Sequence, residues 1–279
     1  MDNVMTAASN LSVIVPELWS TKYYDVLLAD LPFNSIISRD YEGEIANLGD
    51  TVRISTFPEF DEAQEAGEDE KVDASALTVT QQSLLINKRI VKDFIVTNMA
   101  ILQSLPMMDK LRDLAIYSIN KKIQSLIISL TIPSASAPDH QIPYDSGTTL
   151  ALADILEAKE LMDNQDIPLA SRHMVVGAAQ LNDMFNITGF TSTDFGASSS
   201  PLLSGNLPAQ ILGYMPHFTS VVGNTSFYFH ESFMTIAAQQ GMSVKEYDQG
   251  GDGKRSTRIN CDTLLGIKQL DNTRVVTLS

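Results

Sequence analysis

The densest group of reactive side chains in the sequence lies in residues 58–73, PEFDEAQEAGEDEKVD. Eight carboxylates stand there against one lysine, Lys71, so the stretch carries a net seven negative charges in a chain of net charge -15. Carboxylates at this density could bind Ca²⁺, and a suitably spaced pair could supply the acid and the base of a glycoside hydrolase. The eight are Glu59, Asp61, Glu62, Glu65, Glu68, Asp69, Glu70 and Asp73.

The acidic stretch fits neither chemistry. It does not follow the EF-hand spacing of calcium ligands, and the segments on either side have the pattern of strands rather than helices. Glycosidase carboxylates sit in a cleft with aromatic neighbours, whereas only Phe57 and Phe60 lie nearby in the sequence. Two interpretations stay open: a solvated run of charge, or a charged tip that meets a basic surface on a neighbouring copy of the chain.

The histidines and the cysteine do not form a recognisable site either. No histidine lies one helical turn from another or beside a metal-ligand motif, so we expect packing or surface roles and predict neither a metal site nor a cofactor. Cys261 is the only cysteine and falls on the apolar side of a predicted strand, which favours a buried structural thiol. The four histidines are His140, His173, His217 and His230.

The stretch DQGGDGKRS, at residues 248–256, resembles a phosphate-binding loop only superficially. That motif requires glycine where Asp248 stands and serine or threonine where Arg255 stands, and it requires a helix afterwards. A strand follows instead, so we interpret the stretch as a hairpin turn. No nucleophile-elbow pattern occurs elsewhere. We therefore predict no catalytic residues and a protein that is not an enzyme.

The composition sets the class of protein. A length of 279 residues with 44% hydrophobic and 19% charged residues is typical of a folded globular chain. The pI near 4.5 argues against a nucleic-acid-binding protein and against binding to anionic membrane surfaces. No apolar run is long enough to span a bilayer, and the first residues do not form a secretion signal. We expect folding in a reducing cytoplasm.

The predicted elements place the acidic stretch at the end of a hairpin. Residues 48–57 alternate apolar and polar side chains and predict a strand, and residues 77–98 are rich in β-branched residues and predict one long strand or two. Before them, Pro16 opens a short helical pattern with one apolar face, which ends at Pro32. The hairpin has little apolar surface of its own to bury, so we expect it to protrude.

The rest of the chain predicts one very long helix and a mixed domain. Residues 104–132 repeat apolar side chains every three or four positions, which predicts a helix with Ser104 as its candidate cap. A second helix is predicted further along the chain, with Thr148 or Thr149 as its candidate cap. Residues 242–270 predict a hairpin that turns at Asp252-Gly253. Further strands are predicted in RHMVVG, HFTSVV, SFYFH and RVVTL.

Four segments in this order resemble one family. They are VPELWSTKYYDVLLADLPFNSII, NLGDTVRI, INKRIVKDFIVTNMAILQS and LADILEAKELMDNQDIPLASRHMVVGAAQLNDMF. They are similar, in turn, to the arm helix, to the strands entering and leaving the extended E-loop, and to a helix-strand stretch of the tailed-phage major capsid proteins, which have the Hong Kong 97 fold. The motifs are weak individually, and their order over more than 200 residues carries the resemblance.

The resemblance implies an α+β fold, Hong Kong 97-like, with four parts. We expect an N-terminal arm at 1–36 and an E-loop hairpin at 37–97. A peripheral (P) domain with the long spine helix is expected at 98–145 and 240–270. A compact mixed α/β axial (A) domain is expected at 146–239 and 271–279.

The resemblance also implies a function. We expect a structural protein that assembles with itself into pentamers and hexamers of an icosahedral shell around a double-stranded DNA genome, without sequence-specific DNA binding. Its location would be the virion, after folding and assembly in the host cytoplasm. A portal, a separate scaffolding protein and decoration proteins are the other expected partners, the scaffold because the E-loop begins within 50 residues of Met1. No membrane contact is expected.

The resemblance points to two groups of contact residues. The E-loop tip is expected to contact a neighbouring subunit through Glu65, Glu68, Asp69, Glu70 and Lys71. The arm is expected to do so through Trp19, Tyr23 and Leu27. Two alternatives stay open: a cellular compartment shell of the encapsulin type, and a soluble hydrolase that uses acidic residues.

Overall fold

A computed structural model describes residues 28–42, 51–58, 60, 63, 65, 76–98, 107–144, 149–187, 210–249 and 255–279. The helices are α1 Phe33–Ile36, α2 Met107–Leu130, α3 Leu152–Asp163 and α4 Ala178–Asn186. The strands are β1 Thr51–Thr56, β2 Thr80–Leu85, β3 Lys88–Thr97, β4 Gln141–Ile142, β5 Arg172–Val176, β6 Met215–Phe218, β7 Ser226–His230, β8 Met234–Gln249, β9 Ser256–Gln269 and β10 Val275–Leu278. Short 3₁₀ turns occupy Ser220–Val222 and Glu231–Phe233.

Strands β1 and β2 form the predicted hairpin. They pair antiparallel from Thr51 opposite Leu85 to Thr56 opposite Thr80. Val52 and Ile54 are buried while their neighbours are exposed, as the alternation predicts. These two side chains and Leu84 pack in a small cluster with Ala237 at the root of the hairpin. Among the described residues, the buried side chains of the hairpin strands therefore lie toward the end that joins the body of the protein.

Strand β3 continues the line of β2 into a three-stranded antiparallel sheet of order β3-β9-β8. It pairs with β9 from Lys88 opposite Leu265 to Thr97 opposite Ser256. Gly266 lies where the hairpin root crosses β9, and a methyl group added there would lie 2.6 Å from the Leu85 carbonyl oxygen. Glycine is thus required for this close backbone approach. The predicted β8–β9 hairpin is confirmed, and its turn at Asp252-Gly253 lies outside the described residues.

Helix α2 is the predicted spine helix. Its 24 residues correspond to a length of about 36 Å at about 1.5 Å per residue. Ala115 and Ile119 pack on Ile259 and Cys261 of β9, so one face of the three-stranded sheet is covered by the helix. Cys261 is buried and free, as predicted. The predicted cap Ser104 lies outside the described residues.

A five-stranded mixed sheet of order β4-β10-β7-β5-β6 forms the second body of the fold. Every residue of β5 is buried, which matches a central strand covered on both faces. On one face, the side chains of Met174 and Val176 pack in a cluster with residues of α3 and with Met184 of α4. On the other face, the side chain of Val175 lies in a cluster that includes Ile127 of the spine helix. Two apolar cores therefore share this sheet.

Three local predictions were wrong or incomplete. Helix α3 is not capped by a threonine: it begins after Ala151, and the Asp154 carboxylate accepts the Ala151 N–H at 2.8 Å. Helix α4 was not predicted, because its nine residues are too few to show a helical repeat. The last residues of HFTSVV form a 3₁₀ turn rather than strand, capped by the Thr219 side chain. The four domain boundaries stay predictions.

Candidate assembly surfaces

The β1–β2 hairpin exposes large apolar side chains along its length. Phe57 is 69% and Phe60 is 76% exposed, and Leu77, Val79 and Leu85 are also exposed. A two-stranded ribbon is only marginally stable alone, so apolar surface at its far end contributes nothing to the subunit. The described parts of the chain thus leave the two phenylalanines largely uncovered and Leu77, Val79 and Leu85 partly so. Such a patch is typical of a contact with another molecule.

The predicted contact residues lie mostly outside the described residues. Glu65 is described and exposed, in agreement with a position at the hairpin tip. Glu68, Asp69, Glu70 and Lys71 of the tip are not described, nor are Trp19, Tyr23 and Leu27 of the arm. The described residues therefore test neither contact group, and both stay predictions.

The end of the arm is locked into the body of the protein. Phe33 is fully buried, and its ring stacks on Phe229 with 5.5 Å between the centroids. The Thr219 hydroxyl donates to the Asp30 carbonyl oxygen at 2.7 Å, and the Tyr117 hydroxyl donates to the Ala29 carbonyl oxygen at 3.2 Å. These contacts hold residues 29–33 against the spine helix and the five-stranded sheet.

The face of the β3-β9-β8 sheet that points away from the spine helix is exposed over most of its length, and its Leu264 end packs against the hairpin root. Strand register places its side chains in four cross-strand rows. The rows are Ile95–Arg258–Tyr247, Asp93–Asn260–Lys245, Val91–Asp262–Ser243 and Arg89–Leu264–Gln240. A hollow of about 330 Å³ lies over this face, lined by Arg89, Tyr247, Arg258 and Asn260. We refer to these four rows as the open sheet face.

Charges on the open sheet face are arranged with the cations outermost. Arg89 pairs with Asp262 at 2.9 Å, and the Arg89 side chain is 64% exposed while that of Asp262 is only 8% exposed. Arg258 pairs with Asp93, donating from Nε at 2.7 Å. The Arg258 hydrogen bond lowers the pKa of Asp93, and hydrogen bonds from Ser243 and then Arg89 lower that of Asp262. Both aspartates therefore stay charged beneath the arginines.

A histidine pair lies on the five-stranded sheet. His173 Nδ1 and His217 Nε2 are 3.1 Å apart, which requires one nitrogen to donate and the other to accept. Burial lowers the pKa of His173, and the charge of His217 lowers it further. Burial also lowers the pKa of His217, against the opposing charge of Asp30. Both rings are therefore neutral near pH 7, in agreement with the predicted packing role.

A buried arginine fixes the turn between α3 and β5. Arg172 is 1% exposed and forms an ion pair with Asp163 at 2.7 Å. Its Nε donates to the Pro168 carbonyl oxygen at 3.0 Å. Arg172 belongs to the helix-strand stretch that carries part of the resemblance, and its contacts hold the end of α3 against the start of β5. Among the described residues no group of acidic, histidine and cysteine side chains could hold a metal ion.

The open sheet face is the feature that sequence reasoning missed. Alternation predicted the strands, but it does not say which of the two faces is covered by the spine helix. The sequence signal that was available is the placement of arginines beside β-branched residues, in RIVKDFIV and in the strand that contains Arg258.

Also within the described residues, no helix is long and apolar enough to cross a membrane.

Comparison with known proteins gives matches in structure only. No protein-family profile matches the chain, and no curated protein sequence matches it. A solved structure from Mycobacterium phage Che8 is 22% identical, with a TM-score of 0.76 over 95% of this chain and 97% of that chain.

Several similar structures are named as capsids, among them two from cyanophages. The capsid structure of the cyanophage P-SCSP1u is 9% identical, with a TM-score of 0.78 over 100% of this chain and 95% of that chain. The capsid of cyanophage Pam1 is 15% identical, with a TM-score of 0.74 over 99% and 98%. These similarities span nearly the whole of each chain. They confirm the predicted Hong Kong 97-like capsid fold, an α+β fold.

Proposed function

We propose that this chain is the major capsid protein of a tailed phage, a structural protein that assembles into an icosahedral shell around double-stranded DNA. The observation that carries the proposal is the protruding hairpin, whose apolar side chains Phe57 and Phe60 are uncovered in a subunit of capsid fold. A subunit with a buried core of its own that still exposes such apolar surface is expected to bury that surface against copies of itself.

The net charge of -15 supports a container for DNA. A wall of negative charge repels phosphate and so leaves the packed genome free to move. The same charge keeps subunits soluble before they assemble. We propose the virion as the site of action, with folding and assembly in the host cytoplasm.

Other partners follow from this function. A portal and a separate scaffolding protein, and decoration proteins in addition, are proposed on the resemblance alone. The arm at 1–36, the E-loop at 37–97, the P-domain and the A-domain with their predicted boundaries are proposed as the working parts. In them, Trp19, Tyr23 and Leu27 and the acidic tip supply contacts between subunits.

Electron microscopy of the purified chain tests the function. We expect closed shells built from pentamers and hexamers, at micromolar concentration, with or without a scaffolding protein. A monomer that persists by light scattering in both conditions would contradict the proposal. The contents of shells isolated from cells separate the phage shell from an encapsulin-type compartment, since the former encloses DNA and the latter encloses an enzyme.

A further inference from the structure

Strand β6 is the outer strand on one side of the five-stranded sheet. The order β4-β10-β7-β5-β6 gives it a single neighbour, β5, with which it pairs in parallel up to Val176 opposite Phe218. Its other side faces no strand of the described chain. An edge strand of this kind presents backbone N–H and carbonyl groups with which another chain can pair.

The register of β6 shows which backbone groups face the open side. The Thr219 N–H donates to the Val176 carbonyl oxygen at 3.1 Å, so this N–H points toward β5. Because backbone groups alternate between the two sides of a strand, the groups of Pro216 and Phe218 point outward. Within the described chain, the Phe218 N–H and these two carbonyl oxygens have no hydrogen-bond partner.

Proline at position 216 removes one of the outward donors. Its nitrogen carries no hydrogen, so among the residues of β6, Met215–Phe218, only Phe218 offers an outward N–H. The proline ring also occupies the space in which the carbonyl oxygen of a partner strand would accept a hydrogen bond. Proline is tolerated in a sheet where its nitrogen faces away from the neighbouring strand, which is the position found here.

The side chains along this edge are otherwise suited to association. Met215 and Phe218 are exposed large apolar residues, and Leu169 is exposed beside Gly213, just before the strand. Residues 210–222 contain no aspartate, glutamate, lysine or arginine. Edge strands are commonly protected from pairing by charged side chains or by proline. Since charge is absent from this segment, the proline is the feature that protects it.

Two copies of the chain could pair along this edge about a two-fold axis. In such an antiparallel pairing, residue 216 of each copy lies opposite residue 218 of the other. Each of these residue pairs makes one hydrogen bond donated by the Phe218 N–H and one donated by residue 216. Proline therefore abolishes half of the hydrogen bonds. Two-fold contacts are the commonest in homo-oligomers, so this is the pairing that most needs to be blocked.

We propose that the outer edge of β6 is a strand-pairing surface for a second copy of this chain, and that Pro216 keeps it closed. The closed edge prevents sheet-to-sheet association of folded subunits, which would expose them to aggregation. This role concerns the unassembled subunit and does not depend on the proposed shell function.

Restoring the missing N–H tests the role of Pro216. Pro216→Val adds the outward donor in a residue that favours strands. Met215→Val is the matched control, because the Met215 N–H points toward β5 and the substitution adds no outward donor. Sedimentation velocity of the unassembled subunit at micromolar concentration measures association, and circular dichroism checks the fold. We expect the dissociation constant for self-association of Pro216→Val to be at least roughly tenfold lower than that of the control, since the abolished hydrogen bonds are regained.

A charge on the edge separates strand pairing from other kinds of association. Phe218→Lys, added to Pro216→Val, should return the subunit to the association state of the wild type, because like charges on facing edges repel. If folded Pro216→Val associates no more than Met215→Val, or if the added lysine leaves its association unchanged, the closed edge is ruled out.

Hydrogen exchange in the unsubstituted subunit gives a measurement that needs no variant. The Phe218 amide should exchange rapidly, because its N–H faces the open edge without a partner. In the associated Pro216→Val species the same amide should exchange at least roughly tenfold more slowly. A Phe218 amide that is already protected in the wild-type subunit would show that the edge is covered, and would overturn the proposal even if Pro216→Val failed to fold.

Discussion

At the scale of single residues, the His173–His217 pair links stability to pH. Burial lowers the pKa of both rings below their ordinary value of 6.5. The neighbouring charges that act on the pair are Glu231 and His230 at His173 and Asp30 at His217. A group whose pKa is lowered by folding binds protons more readily when unfolded. Its contribution to stability is present above the ordinary pKa and is lost as the pH falls below it.

We therefore expect the subunit to unfold more easily as the pH falls from about 7.5 to about 5. His217→Gln should flatten this dependence, because glutamine can still hydrogen-bond to His173 and does not titrate in that range. The measurement is the urea midpoint of unfolding across the pH series. Identical pH dependence in the wild type and the variant would show that the pair does not govern acid stability.

Gly266 provides a prediction about the hairpin root. An alanine methyl there would lie 2.6 Å from the Leu85 carbonyl oxygen, so the root must shift away from β9. Gly266→Ala should lower the free energy of unfolding by about 1–3 kcal/mol. Gly241→Ala is the control, because nothing lies within 4 Å of a methyl group at that position. Equal effects of the two changes on the denaturation midpoint would contradict the close crossing.

At the scale of elements, the acidic stretch should be separable from the fold. Phe57 beside it and Phe60 within it are exposed, and the buried residues of the hairpin, Val52, Ile54 and Leu84, lie at the root. Deleting residues 59–73 should leave the subunit folded and impair its assembly, since shortening a loop changes its closure entropy little. Circular dichroism checks the fold and light scattering checks assembly. An unfolded deletion variant would place the stretch within the core.

The elements that could be predicted from sequence are those whose pattern is local. Val52 and Ile54 alternate with exposed residues, Ala115 and Ile119 repeat with the helical period, and both patterns are set by burial of a single face. The helix caps were harder to predict, because the carboxylate that accepts the Ala151 N–H belongs to Asp154, which lies inside the first turn of α3 and not at the position before the helix. The elements missed altogether are short and take their conformation from their contacts.

The candidate assembly surfaces could be predicted only in part. The acidic tip is visible in the composition of residues 58–73, because a run of like charge needs no partner in the sequence to be noticed. The open sheet face is not visible there, since Lys245, Arg258 and Ile95 come from three strands that meet only through pairing. Predicting a surface that is assembled from strands distant in sequence requires the strand register, and the register is a property of the fold.

At the scale of the whole molecule, a shell repeats each contact many times. An exposed ion pair contributes only about 0.2–1 kcal/mol, which hardly affects the fold of one subunit. The same pair repeated around every ring contributes in proportion to the number of copies. Surface charge that is unimportant for the subunit can thus govern the stability of the particle, and it does so in a way that depends on salt.

The melting temperature of the shell against NaCl concentration tests this at the acidic tip. If Glu65, Glu68, Asp69 and Glu70 meet cations on a neighbour, salt near 1 M, with a Debye length of about 3 Å, should weaken the attraction and destabilise the wild-type shell. A variant with these four acids changed to glutamine or asparagine should melt lower at low salt and respond less to added salt. If the tip instead faces water or repels its neighbours, screening relieves the repulsion. The wild type would then gain stability with salt and the neutral variant would melt higher from the start, which would rule out the attractive contact.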